Sequence, residues 1–212
     1  LAFYDNTERV NKLYEAMSAA AIAEDGDQTK TLWMRLTDST TTTGASDKGV
    51  AKFKELCPNC TVATADFQTA NLDKMASAVS AALVSNPDVT SIIVPVDSFV
   101  PPAMQGIQSS GKTGKIKVHS SSSDLAGLQR VKDGQQASDL GTPVLFEGWK
   151  FANAFMQLAS GEEVSKGTEF MTRNFTKANV GDLKLDAASY LTDDWFGGGA
   201  YKDKFKAAWG VS

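Results

Sequence analysis

The stretch Ser91–Val96 (SIIVPV) is almost wholly apolar, which is typical of a strand covered on both faces of a sheet. Strands are also predicted at Thr31–Thr37 (TLWMRLT), Thr61–Asp66 (TVATAD) and Lys115–His119 (KIKVH), with a further candidate at Gln136–Leu140. The first four strands start 30, 30 and 24 residues apart, which is the spacing of repeated strand–helix–strand units. The sequence therefore predicts an α/β fold with three layers, α/β/α, around a parallel sheet.

Helices are predicted between and beside the strands from apolar residues at helical spacing. Between strands they are Lys48–Leu56, Asn71–Leu83, Pro102–Gln108 and a helix capped by Asp124 that ends at Lys132. Flanking helices run from a capping box at Asp5 and Glu8 to about Ala23, from Val144 to Ser160 before Gly161, and from Ala200 to Trp209.

Composition excludes two broad classes of function. The chain has 212 residues, with 21 basic and 25 acidic side chains and a net charge of -4. This balance does not provide the basic surface that a phosphate backbone requires, so no nucleic-acid partner is predicted. No apolar run approaches the roughly 18 residues that a membrane-spanning helix needs.

The two cysteines, Cys57 and Cys60, flank a predicted helix-to-strand turn (CPNC). A structural zinc site needs four ligands, and the lone His119 lies about sixty residues away, so no metal site is predicted. The preferred interpretation is a disulfide that closes the turn in an oxidising compartment outside the cytoplasm. Two free thiols remain the alternative.

The sequence contains no catalytic motif that assigns an enzyme. The serines after His119 are not part of a Gly-x-Ser-x-Gly turn, and neither phosphate-binding glycine pattern is present. We therefore predict no enzyme activity and no cofactor.

Polar residues follow the predicted strands. Because the carboxyl ends of parallel strands share one edge, these residues should form a rim where a small polar ligand binds. Phe67 would add a stacking platform. The alternative for each hydroxyl is a turn or helix cap. The candidate ligand-binding residues are Asp38, Ser39, Thr42, Ser46, Phe67, Asp97, Ser122 and Thr142.

Several segments, in order, resemble the second lobe of type I periplasmic solute-binding proteins, the ribose-binding-like receptors of sugar ABC importers. The likeness runs from about Asp5 to Val164. Its segments are NPDVTSIIV (86–94) followed by Asp97, PAMQGIQSSGK (102–112), IKV (116–118), LQRVKDG (128–134) and the helix 144–161 with its ending LASGEEV (158–164).

The resemblance implies a domain organisation. Residues 1–142 would form the ligand-binding second lobe, residues 143–167 a crossover helix that packs in the first lobe, and residues 168–212 a tail that returns with a terminal helix. The first lobe would precede Leu1, so this chain would hold one wall of an interlobe cleft. The helix 144–160 would then keep an apolar face that also allows self-association.

The family's ligand positions carry over in part. The stacking Phe falls on Phe67, and the Asp after the third strand falls on Asp97. The family's Arg, Asn, Asp and Gln fall near or on Ser46, Val96, Ser122 and Thr142, none of which has the family's side chain.

The resemblance implies an extracytoplasmic, periplasmic or extracellular, substrate-binding component of an ABC importer. Its partners would be a sugar or polyol and the importer's membrane subunits. An effector-sensing domain of a transcription regulator is the alternative, and a cytoplasmic regulator should keep Cys57 and Cys60 as thiols. A small α/β enzyme is a third possibility without an assignable reaction.

Overall fold

The computed structural model describes residues 6–164 and 171–211, so the predicted cap residue Asp5 and the boundary at 167–168 lie outside the described residues. The strands are β1 Lys30–Leu36, β2 Thr61–Phe67, β3 Ser91–Ile93, β4 Lys117–Ser121, β5 Ser138–Gly141 and β6 Arg173–Thr176. The helices are α1 Asn6–Asp25, α2 Thr40–Leu56, α3 Met75–Ser85, α4 Val100–Ser109, α5 Leu125–Lys132, α6 Val144–Ala159, α7 Lys177–Val180, α8 Ala187–Tyr190 and α9 Tyr201–Trp209.

The described strands form one sheet in the order β2-β1-β3-β4-β5-β6. β1 to β5 pair in parallel, and β6 pairs with β5 in the antiparallel direction. Helices cover both faces, so the predicted α/β/α layering around a parallel sheet is confirmed. The antiparallel edge strand is an addition that the sequence pattern did not indicate.

Alternating side chains of the inner strands enter different cores. Leu32 and Met34 of β1 pack with buried residues of α3 and α4 on one face. Trp33 points to the other face, where it packs with Tyr14 and Met17 of α1. These side chains are buried, so both layers exclude water from the sheet.

Two strand boundaries differ from the prediction for identifiable reasons. β3 ends at Ile93, and the ladder continues only through the Val94 N–H, which donates to the His119 carbonyl at 2.8 Å. Pro95 then follows and has no N–H to continue the pairing. β4 starts at Lys117 because Lys115 lies in a turn.

The predicted strand Lys115–His119 puts Ser120 and Ser121 after its end, at the rim, and the shifted β4 contradicts that placement. Ser120 and Ser121 are strand residues with exposures of 2% and 1%, so their hydroxyls lie inside the protein. The Ser121 hydroxyl donates to the Pro95 carbonyl at 2.6 Å. These serines therefore join neighbouring strands and do not face the rim.

α2 starts at Thr40, eight residues before the predicted Lys48. Ser39 is its cap: the Thr42 N–H donates to Ser39 Oγ at 3.2 Å, and the Ser39 N–H donates to Thr42 Oγ1 at 3.1 Å. This reciprocal capping box satisfies two backbone donors at the helix start. The residues Thr40 to Ser46 are thus helical, whereas the sequence placed them in a loop.

The C-terminal segment contributes a small core of its own. Phe175 of β6 and Trp195 are buried with Leu128 and Val131 of α5. The Trp195 indole N–H donates to the Lys184 carbonyl at 2.9 Å, so its polar atom is satisfied. Residues of the C-terminal segment therefore pack on α5 and extend the sheet beside β5.

α6 packs against α9 through aromatic rings. Trp149 stacks on Trp209 with ring centres 5.3 Å apart, and the Trp209 indole N–H donates to Asn153 Oδ1 at 2.8 Å. The other side of α6 is apolar and exposed, with Phe155 at 71%. We call this the outer face of α6, and it comprises Val144, Phe151, Phe155 and Leu158.

Cys57 and Cys60 form the predicted disulfide, with Cα atoms 5.3 Å apart. The bridge closes the turn between α2 and β2, at the amino end of β2. Among the helices of residues 6–164 and 171–211, none is both long and apolar enough to cross a membrane.

Candidate functional site

The predicted rim lies at one edge of the sheet. The register pairs Leu36 with Phe67 and Ser121 with Leu140, so the carboxyl ends of neighbouring parallel strands meet there. The strand order reverses at β1, which lies between β2 and β3. In open parallel sheets a ligand crevice forms outside the carboxyl ends at such a reversal.

Two loops of the rim are tied together by hydrogen bonds. Thr69 donates its hydroxyl and its backbone N–H to the Asp38 carboxylate, the latter at 2.8 Å. Gln68 Nε2 donates to the Thr37 carbonyl at 3.2 Å, and the Thr37 hydroxyl donates to the Phe67 carbonyl at 3.1 Å. The loops after β1 and β2 are therefore ordered before a ligand arrives, which lowers the entropic cost of binding.

An open pocket of about 370 Å³ lies beside these loops. Its volume falls at the lower end of the range for small-molecule sites. Apolar atoms of Phe67 and Met75 line it together with the polar side chains of Gln68, Asn71 and Lys74. The pocket thus combines an apolar surface with hydrogen-bond donors.

Phe67 lies at the pocket but is not an open stacking platform. Its side chain is only 6% exposed and belongs to the main core. Its ring contacts Phe99 edge-to-face, with centres 5.0 Å apart. Little of the ring is left for a ligand, so Phe67 serves mainly as part of the wall.

Ser46 is placed in the interior, away from the rim. It is 0% exposed, and its Oγ accepts the Leu36 N–H at 3.2 Å. The hydroxyl thus satisfies the last backbone donor of β1. Because the helix begins at Thr40, the residue faces the sheet and not the solvent.

Ser39 and Thr42 stay near the surface, but each is occupied by the helix cap of α2. Capping is the alternative role that the sequence allows for these hydroxyl residues. A capping hydroxyl still has unused donor or acceptor capacity toward solvent.

Asp97 is 1% exposed and lies below the rim. One carboxylate oxygen accepts the Ser120 hydroxyl, and the other accepts the Asp124 N–H at 2.9 Å. Burial, together with the nearby charge of Asp124, raises the pKa of Asp97. The carboxylate is directed at the protein, so the structure does not present it to a ligand.

Ser122 lies on a strained turn at the end of β4. Its φ is 113°, and that of Ser123 is 50°, two positive values in succession at residues other than glycine. Such conformations cost about 1–3 kcal/mol each and persist where surrounding contacts enforce them. Ser122 is half-buried, and its N–H donates to the Leu140 carbonyl at 3.2 Å.

Thr142 follows β5 directly and is half-buried at the same edge. The structure therefore brings Asp38, Ser39, Thr42, Ser122 and Thr142 to one edge, with Phe67 in the wall of the pocket. Ser46 and Asp97 lie inside the protein.

Sequence reasoning missed Asn71 and Lys74, which line the pocket. The sequence predicted a continuous helix from Asn71, but a 3₁₀ turn covers Thr69–Lys74 and Asn71 has φ -120°. It also missed Asp139, which is 0% exposed beside Asp97. Asp139 lies in a weak strand pattern, so no periodicity distinguished it.

The described residues contain no group of three or more His, Cys, Asp or Glu side chains arranged to hold a metal ion. The lone His119 is 2% exposed and engaged on both ring nitrogens: Nδ1 lies 2.7 Å from Ser138 Oγ, and Nε2 lies 3.0 Å from Asp25 Oδ2.

The sequence matches no protein-family model and no curated protein. Its fold, however, is similar to solved ABC-transporter solute-binding proteins. One from Actinobacillus succinogenes, with bound D-allose, is 12% identical at a TM-score of 0.70, over 82% of this chain and 61% of that one. A 5-methylthioribose transporter solute-binding protein from Thermotoga lettingae is 16% identical at a TM-score of 0.71. The match covers 91% of this chain and 63% of that one.

A third, from Agrobacterium vitis with bound α-D-tagatopyranose, is 19% identical at a TM-score of 0.67, over 85% of this chain and 59% of that one. This chain therefore spans 59–63% of the length of the three structures. All three are solute-binding proteins. The chain has the fold of the periplasmic solute-binding proteins, so the predicted resemblance is confirmed at the level of fold.

Proposed function

We propose that this chain is part of the extracytoplasmic substrate-binding component of an ABC importer and binds a sugar or polyol. The observation that carries the proposal is the polar rim and its pocket, at the carboxyl edge of a sheet with this fold. Three solved proteins of the same fold bind sugars or a sugar derivative.

The chemistry of the edge suits a polyhydroxylated ligand. Sugar hydroxyls donate and accept hydrogen bonds, and so do the hydroxyls of Ser122 and Thr142. The amides of Gln68 and Asn71 add donors and acceptors at the pocket. The small area of Phe67 and Met75 that faces the pocket matches the apolar C–H surface of a sugar ring.

We further propose that the rim is one wall of an interlobe cleft. Residues 1–142 would be the second lobe, residues 143–167 the crossover helix and residues 168–212 the returning tail. The exposed outer face of α6 supports this arrangement, because the first lobe would cover it. Closure of two lobes around the solute would be the signal that the importer's membrane subunits recognise.

The disulfide supports a location in the periplasm or outside the cell. Disulfides persist in oxidising compartments, whereas reducing systems in the cytoplasm keep cysteine thiols reduced. The bridge therefore favours the exported receptor over a cytoplasmic transcription regulator with the same fold.

Substitution of Thr142 tests the proposal. Thr142→Val removes a rim hydroxyl while keeping the side-chain shape, and Thr113→Val does the same at an exposed position at the opposite edge of the sheet. Calorimetric titration with D-allose, D-tagatose and D-arabinose should show binding that Thr142→Val weakens about tenfold, the effect of one lost hydrogen bond. Thr113→Val should leave the affinity unchanged.

Equal affinities for the two variants would remove Thr142 from the site. Absence of heat with all the sugars, and with a polyol such as sorbitol, would overturn the proposed ligand class.

A further inference from the structure

Two carboxyl groups face each other below the rim. Asp97 follows β3 and Asp139 lies in β5, and they are 1% and 0% exposed. A Cβ placed on Gly127 would lie 2.5 Å from Oδ2 of each, so both oxygens point at the same spot on α5. The absence of a side chain at Gly127 is what leaves room for the pair.

The hydrogen bonds around the pair leave one atom unmatched. Asp97 accepts from the Ser120 hydroxyl and from the Asp124 N–H. Asp139 Oδ1 accepts the Ser123 N–H at 2.9 Å. Asp139 Oδ2 has no hydrogen-bond partner among the described residues, although it is fully buried. A proton held between the two carboxyl groups supplies that partner, as happens when two carboxylates share one site.

The charged groups around the pair favour one proton and one negative charge. From α5, Arg130 Nη2 lies 3.7 Å from Asp97 Oδ1 and stabilises the ionised form of Asp97. From the start of α5, the Asp124 carboxylate opposes a second charge on either group. His119 on β4 is engaged by Asp25 and Ser138.

On β6, Arg173 donates to the Trp195 carbonyl and lies over the Phe175 ring. His119 and Arg173 are thus directed at other groups and not at the two carboxyl groups. Burial, with the charge of Asp97 next, raises the pKa of Asp139 well above its usual range.

The pair holds the strained turn of the rim. The two backbone N–H groups that it accepts belong to Ser123 and Asp124, which directly follow Ser122. Ser122 and Ser123 both have positive φ, so the turn needs an external constraint.

We propose that Asp97 and Asp139 share a single proton and act as positioning residues that hold the Ser122–Asp124 turn in place. Only the relevance of this turn to solute binding rests on the proposed function. The proton and its effect on the turn do not.

The inference has a defined pH dependence. An acid whose pKa is raised in the folded state binds its proton more strongly there than in the unfolded chain. The contribution of the pair to the free energy of unfolding is therefore present at low pH. It is lost as the pH rises through the pKa of the pair in the folded state. Loss of the proton leaves two buried negative charges and loosens the turn.

Asp139→Asn tests the shared proton, because the amide carries a permanent N–H donor toward Asp97 and keeps an oxygen for Ser123. Asp88→Asn is the matched control, since Asp88 is exposed and pairs with Lys30 at the surface. Urea unfolding of the full chain should be followed between about pH 5 and about pH 9, well above the usual carboxyl pKa. Amide hydrogen exchange at Ser123 and Asp124 should be measured over the same range.

Wild type and Asp88→Asn should lose stability as the pH rises, and their Ser123 and Asp124 amides should lose protection beyond the intrinsic base-catalysed rate. Asp139→Asn should show a flatter dependence of stability on pH and keep the protection of the two amides. In Asp139→Ala the protection factors of the two amides should fall about tenfold at neutral pH. An Asp139→Asn profile that parallels wild type would overturn the inference.

Infrared spectroscopy of wild-type protein with ¹³C-labelled aspartate provides a second readout that needs no variant. A protonated carboxyl band at neutral pH supports the shared proton, and its absence overturns it. Neither readout uses a ligand, so a protein with the proton that binds no sugar would refute the proposed function alone.

Discussion

Phe67 shows how a residue at the right place in the sequence can have a different role in the fold. It ends β2 at the carboxyl edge, where a stacking aromatic would meet a ligand. The ring is nevertheless 6% exposed and packs on Phe99. Its main contribution is therefore to the core, and any loss of binding on its removal includes a loss of stability.

Phe67→Ala should lower the free energy of unfolding by about 3 kcal/mol, because it removes a buried aromatic ring from a packed core. Val84→Ala is a control for the removal of an apolar side chain, since Val84 is 69% exposed on α3 and lies outside the outer face of α6. It should change the free energy by less than about 0.5 kcal/mol. Urea unfolding monitored by circular dichroism measures both, and equal effects would place Phe67 outside the core.

The sequence predicted which residue types stand at the strand ends, but not which of them are buried. The sequence placed Asp97, Ser46 and Ser120 after predicted strands, just as it placed Thr142. They lie inside because they satisfy backbone or hydroxyl groups of neighbouring strands. That choice depends on contacts between segments far apart in the chain, which a local pattern does not contain.

At the scale of elements, the turn between α2 and β2 is closed by the Cys57–Cys60 bridge. The bridge lies at the amino end of β2, opposite to the rim. Its effect should thus be on stability and not on the geometry of the site.

Reduction of the disulfide should lower the free energy of unfolding by about 2 kcal/mol, the loop-entropy value for so short a ring. Urea unfolding with and without dithiothreitol measures the difference. The double variant Cys57→Ala/Cys60→Ala should not respond to the reductant. Two thiols that react without reductant in native protein would contradict the bridge and the extracytoplasmic location.

Elements with strong periodicity were predicted well, and short ones were not. α3 buries Met75, Val79 and Leu83 as expected, since its apolar residues recur every three or four positions. β6 was missed because it has only four residues, RNFT, and its pairing with β5 is antiparallel and distant in sequence. No alternation in so short a segment identifies a strand.

At the scale of the whole molecule, the outer face of α6 leaves several large apolar side chains exposed. Val144, Phe151, Phe155 and Leu158 recur at intervals of seven, four and three, which is the seam spacing of paired helices. α9 covers the opposite side through Trp149 and its neighbours. In the proposed receptor the first lobe would cover this face, and we expect a second copy to take its place in the isolated chain.

The isolated chain should therefore self-associate, with an apparent mass that rises with concentration in sedimentation velocity. Phe155→Ser should shift the equilibrium to the monomer, because it removes the most exposed ring of the seam. Leu191→Ser is the control, since Leu191 is 62% exposed but lies outside α6. A constant monomer mass for wild type, or an equal effect of the two variants, would contradict association through α6.

The central claim is that a sugar binds at the carboxyl edge of the sheet. Backbone amide chemical-shift mapping of the ¹⁵N-labelled chain during titration with D-allose or D-tagatose tests it most directly. The account predicts saturable shifts in Thr37–Thr42, Gln68–Lys74, Ser122–Asp124 and Thr142, with none around Cys57 and Cys60. Shifts confined to the disulfide edge or to α6, or no shifts with any sugar, would contradict it.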